Sequence, residues 1–178
     1  MKKKIHLEHI HKDKEKFFKY FLDNEFMLSK ELINKKEWVV MLSPDMLTYF
    51  QAGYMSKAIN RLNINEYFQY TFAFNGDVAF SKFVNTQDNL YNSDFNSLLN
   101  YIIITNKNMD FLYYRHQLSF FHLFAGTPDF VYSCVRTSKK ICKNLLIEYC
   151  LYNGKNTDEY HECCKAWSLY QEEDLMKE

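Results

Sequence analysis

Three groups of residues have side chains suited to chemistry. His6, Glu8, His9 and His11 gather imidazoles and a carboxylate near the start of the chain, a donor set that suits a divalent metal. Their spacing fits neither one helical face nor one strand face throughout, so a solvated, frayed terminus over residues 1–10 is the plainer reading. His161 and Cys164 are three apart and would share a helical face, but no Cys-x2-Cys pair accompanies them. Cys134, Cys142 and Cys150 stand among aliphatic residues, where a thiol packs as a small hydrophobe. No metal and no cofactor is expected. Arg115 and His122 form the third group and the single enzyme-like signal. They are seven residues apart, nearly two helical turns, so on a helix both face the same way. Gly53, Gly76, Gly126 and Gly154 are isolated, and neither a phosphate-binding loop nor a Gly-x-Ser-x-Gly elbow occurs.

The elements that would position these residues must come from 178 residues, enough for one domain. Hydrophobic residues make up 47% and aromatics 18%, with only 4 Gly and 2 Pro, which excludes a disordered chain and a collagen-like fibre. Lys+Arg and Asp+Glu both number 22, so the net charge is zero and argues against a generic nucleic-acid binder. Charge is unevenly spread. Residues 41–135 carry twelve charged side chains but 21 of the aromatics, and so read as the core between two more solvated flanks. Charges and imidazoles interrupt the start through Lys19, and no apolar run approaches a membrane span, so a cytoplasmic protein is expected. Five cysteines without framework spacing suggest reduced thiols.

The spacing of the apolar residues predicts an all-α single domain over 1–178, built from packed antiparallel helical hairpins. Phe111, Tyr114, Leu118, Phe121 and Ala125 recur at three and four residues, as one helical face would. Leu90, Phe95, Leu98, Leu99, Ile102 and Ile103 form a similar stripe. A minor β segment is allowed near 101–105, where three isoleucines adjoin. Ser43-Pro44-Asp45 is expected to open a helix over Met46 to Arg61, and His11 to Phe26 reads as an amphipathic helix. Thr127-Pro128, Ser138 and Asn156 or Thr157 are further helix starts. Four polar turns, at Phe72 to Asp77, Ile104 to Asp110, Phe124 to Asp129 and Tyr152 to Asp158, read as helix–turn–helix junctions.

Two resemblances give these features a function. Arg115-His116-Gln117-Leu118-Ser119-Phe120-Phe121-His122 resembles the Arg-x4-6-His signature of HEPN-type ribonucleases. It implies a helical bundle in which Arg115 stabilises phosphate charge and His122 serves as general acid or base. The run from Asp94 to Tyr170 resembles, in layout alone, the helical immunity proteins of bacterial polymorphic and contact-dependent toxin systems. That resemblance implies a non-catalytic protein that neutralises one cognate protein toxin by direct binding, and it leads here. A helical adaptor or regulator is a further alternative. In the leading reading no membrane and no nucleic acid is a partner. The toxin-binding residues are placed on the acidic last helix, at Glu159, Glu162, Glu172, Glu173 and Asp174, since charge is densest there.

Overall fold

A computed structural model describes residues 6–74 and 76–177. It overturns the all-α reading. The centre of the molecule is a six-stranded antiparallel sheet in the order β1-β6-β5-β4-β2-β3. The strands are β1 (Val39–Pro44), β2 (Glu66–Phe72), β3 (Ala79–Val84), β4 (Tyr101–Thr105), β5 (Phe111–Arg115) and β6 (Phe121–Gly126). The segment at 101–105 is thus a fully buried strand in the interior of the sheet, not a minor exception.

Helices cover both faces, and this explains the misleading spacing. A strand buried on one face alternates apolar and polar residues; a strand buried on both is apolar throughout. Ile102, Ile104, Phe111, Tyr113 and Phe124 point to one face. There they meet α4 (Tyr49–Arg61), α5 (Gln87–Phe95) and α6 (Pro128–Val135). Tyr101, Ile103, Leu112, Tyr114, Leu123 and Ala125 point to the other. That face is covered by α1 (Leu7–Ile10), α2 (Lys14–Phe21), α3 (Lys30–Lys35), α7 (Lys139–Asn153) and α8 (Asp158–Gln171). Inside such continuous runs a three-and-four spacing can be picked out by chance. Leu118, assigned to the helical stripe, lies in the β5–β6 hairpin and is half exposed.

The polar turns are real, but only the one at Gly154 joins two helices. The one at 104–110 is a β-hairpin, and a second hairpin at 116–120 falls where the apolar spacing predicts continuous helix. Each closes with an i to i+3 backbone hydrogen bond, Met109 N–H to Asn106 O and Ser119 N–H to His116 O. Each also places a non-glycine residue, Met109 or Ser119, at positive φ. Phe72 to Asp77 connects β2 to β3, with Asn75 outside the described residues. Phe124 to Asp129 joins β6 to α6. There Gly126 is needed for close approach, since a Cβ would stand 2.9 Å from Phe130 Cδ1.

Helix starts follow the capping chemistry more closely. Thr127, Ser138 and Thr157 are N-caps, each accepting from a backbone N–H three residues on. Ser43-Pro44-Asp45 is different: β1 runs through Pro44, Asp45 has φ 61°, and α4 begins only at Tyr49, with Thr48 as N-cap and Gln51 completing a capping box. The amphipathic segment at 11–26 shortens to α2, which buries Phe17 and Phe21. At the start of the chain, Leu7 and Ile10 are buried and Tyr70 Oη donates to the Leu7 carbonyl at 2.8 Å; residues 1–5 lie outside the described set.

The helical stripes bury Ile103 and Leu118 alike, whereas the sheet buries only Ile103. Ile103→Ala should cost about 2–5 kcal/mol, whereas Leu118→Ala should stay within about 0.5 kcal/mol of wild type. Urea unfolding of both variants checks this.

Candidate functional site

Arg115 and His122 face each other across β5 and β6 as directly paired residues. The structure brings them together, but on strands rather than on one helix, and both are fully buried. The helical framework that the ribonuclease resemblance requires is absent at these positions. Their bonding also accounts for their chemistry. The Arg115 guanidinium lies 3.3 Å from Asp94 Oδ2. It donates to the Asp94 carbonyl at 2.8 Å and to the carbonyls of Ser97 and Asn100. These carbonyls belong to the C-terminal end of α5 and the turn after it, where a cation is favoured by the helix dipole.

Asp94 is as deeply buried as its partner and fully used. Its Oδ1 accepts from Tyr113 Oη at 2.7 Å, and its Oδ2 accepts from the Leu47 N–H at 3.0 Å. Burial and the adjacent carboxylate push the Tyr113 hydroxyl well above its ordinary range, so it acts as a donor. Tyr67 Oη shares a 2.7 Å hydrogen bond with Ser93, and Gln69 reaches Ser93 O and Ser97 Oγ. The end of α5 is therefore fastened to β2 and β5 through buried polar groups.

His122 completes the cluster in its neutral form. Its Nδ1 lies 2.8 Å from the Asp45 carbonyl, which can only accept, so Nδ1 carries the proton. Burial holds its pKa below the usual histidine value. His122 Nε2 and Arg115 Nε have no hydrogen-bond partner among the described residues.

What this lock presents is an apolar surface. Past the C-cap Asn96, the turn holds Leu98 and Leu99 outward, with Leu99 at φ 64° and 68% exposed. The last residue of α5, Phe95, is also exposed and stacks on Tyr91, which packs edge-on against Tyr49. Tyr49 Oη donates to Asp88 at 2.8 Å, and neighbouring Phe50 is 75% exposed. Exposed aromatics on a fastened support are the features of a protein contact surface. This surface is not among the sequence expectations, in which Phe95, Leu98 and Leu99 belong to a helical stripe and Tyr49 and Phe50 only to the helix over Met46 to Arg61. One usable signal was present: Asp94 is one of few charges in the aromatic middle of the chain, where an acid needs a buried base.

The acids assigned to toxin binding do not form one free face. Glu172 pairs with Lys30 at 2.8 Å, which holds its pKa below the usual carboxylate value. Glu173 pairs with Lys139 at 3.4 Å and accepts from Trp167 Nε1. Asp174 pairs with Lys177, and Glu162 with Lys165. Glu159 sits in the first turn of α8. A cavity of about 750 Å³ between α7 and the C-terminal segment is lined by Lys139, Lys140, Lys143 and Lys177 against Glu173, so basic groups dominate there.

Among the described residues no group of three or more His, Cys, Asp or Glu side chains could hold a metal. All five cysteines are free thiols, four of them buried. No helix of the described residues is long and apolar enough to cross a membrane. The chain matches no family model, no curated protein and no solved structure.

Two outcomes follow from this site. Arg115→Met should destabilise the fold by about 3–5 kcal/mol, because it strands the buried Asp94 carboxylate; chemical denaturation measures it. His116 gives a pH dependence. It stacks on Phe120 and Phe121, and its Nδ1 accepts from the Leu118 N–H. Burial first, then Lys165 and Arg115, lowers its pKa to about 4, while Asp158 and Glu162 line the groove beside it. The unfolded chain then binds the proton first, so stability is complete above the ordinary histidine pKa and falls as pH drops towards 4. His116→Gln should flatten that loss by up to about 3 kcal/mol relative to wild type, read from urea midpoints across this range.

Proposed function

We propose that this chain is a non-catalytic protein-binding module that neutralises a cognate protein toxin by direct contact. The observation that carries the reading is the exposed surface of Tyr49, Phe50, Phe95, Leu98 and Leu99. Leu98 and Leu99 stand on the turn whose carbonyls are held by a buried arginine, Phe95 ends α5, and Tyr49 and Phe50 open α4. Aromatic and aliphatic groups on a rigid support bind a protein with little ordering cost. The layout of Asp94 to Tyr170 no longer supports the toxin partner, because three strands occupy its first part. The toxin remains the partner class in this reading, and the contact shifts from the acidic last helix to the apolar face. With zero net charge and its C-terminal acids paired to lysines, capture relies on apolar anchors more than on charge.

The test is titration calorimetry with a toxin domain encoded beside this chain's gene. Phe50→Asp, Phe95→Asp and Leu99→Asp should each weaken binding by about 2–4 kcal/mol. Their unfolding midpoints should stay near wild type. Replacing Glu172, Glu173 and Asp174 by Ala should change affinity by less than about 1 kcal/mol. Loss of binding on the acidic replacement, with the apolar face dispensable, would return the contact to the acidic C-terminal segment after α8.

A further inference from the structure

The two edges of the sheet are treated differently. The β1 edge is closed by α7 and α8, and Gln171 Nε2 donates to the Val40 carbonyl at 2.8 Å. The β3 edge has no such cover among the described residues. Outside its ladder with β2, the Val84 carbonyl accepts from Asn89 Nδ2, and no other backbone group of β3 has a hydrogen-bond partner among the described residues. The strand carries no Pro and one charge, Lys82, which is neutralised by Glu66 at 3.0 Å. An uncovered edge of this kind is a template for another strand.

The backbone fixes which residues offer their groups. Asn85 N–H turns inward to the Asn65 carbonyl, and the Val84 carbonyl turns outward to Asn89. Hydrogen-bonding direction alternates along a strand. Phe80 and Lys82 therefore present both N–H and C=O to solvent, while Ala79, Ser81 and Phe83 face β2.

We infer that β3 pairs antiparallel with β3 of a second copy of this chain, about a two-fold axis through Ser81, to give a continuous twelve-stranded sheet. A two-fold perpendicular to the sheet keeps each face on its own side, so facing residues must have the same parity. An axis at Lys82 sets two ammonium groups opposite one another, which is unfavourable. An axis at Ser81 sets Phe80 opposite the second copy's Lys82. These are the residues with free N–H and C=O groups, so both facing pairs exchange two hydrogen bonds. On that face the ammonium group meets an aromatic ring, as Lys82 already does with Phe68. On the other face Ala79 meets Phe83, and Ser81 meets its own copy. No like charges oppose each other at this register.

The experiment is sedimentation velocity of the full chain over a wide concentration range, with Ser81→Lys and Ser81→Glu. Ser81 is exposed, so neither change touches the core; matching thermal melts verify the fold. Wild type should dimerise reversibly. Each variant alone should weaken association more than about tenfold through like charges at the axis. An equimolar mixture of the two should restore the dimer. Three results would overturn the pairing: a wild type monomeric at every concentration, dimers that persist in both variants alone, or a mixture that stays monomeric.

Discussion

The buried ion pair between Arg115 and Asp94 is the constraint on which the α5 side of the molecule depends. Two charges removed from water are costly unless their attraction and the hydrogen bonds around them offset the lost hydration. Here the carboxylate also takes Tyr113 Oη and the Leu47 N–H, and the guanidinium takes three carbonyls. The pair thereby joins β5, the end of α5, the turn after it and the approach to α4. Most of these partners lie within about twenty residues of each other between Asp94 and Arg115, and only Leu47 reaches in from further along the chain.

The sheet itself was poorly legible in the sequence for a physical reason. Side chains of β4, β5 and β6 are buried on both faces. With no polar face, the two-residue period that marks a strand is erased. What remained were short apolar runs bounded by Asn, Asp and Ser, which suit buried strands as well as helical fragments. The β-branched run at 102–104 was the local clue, and it belongs to β4. Helix starts read better. Thr127, Ser138 and Thr157 cap helices because a side-chain oxygen satisfies local N–H groups whatever the tertiary context. Ser43-Pro44-Asp45 failed because β1 pairs with β6 through Pro44, a constraint from far along the chain.

The site was legible in part. Sequence reading singled out Arg115 and His122 as chemically unusual, and the structure does place them side by side. Their spacing suggested a catalytic pair on a helix; their burial makes them supports for a turn. Asp94 was visible only as a rare charge in an aromatic stretch. Beyond that one charge, nothing marks Phe50, Phe95 and Leu99 as exposed, since a hydrophobic residue carries no local mark of whether it faces the core or solvent. The C-terminal acids showed the reverse problem. Their density in sequence implied a negative face, but lysines from α3, α7 and α8, and the C-terminal Lys177, neutralise most of it.

These elements form one chain of cause. A doubly covered sheet buries β5, burial forces Arg115 to find Asp94, and the pair fixes the turn that exposes Leu98 and Leu99. The most direct measurement is backbone ¹⁵N relaxation of residues 96–100 in wild type and in Arg115→Met. In wild type the order parameters should match rigid backbone, about 0.85, and in the variant they should fall below about 0.6. A turn that is flexible in wild type, or equally rigid without the guanidinium, would contradict the account.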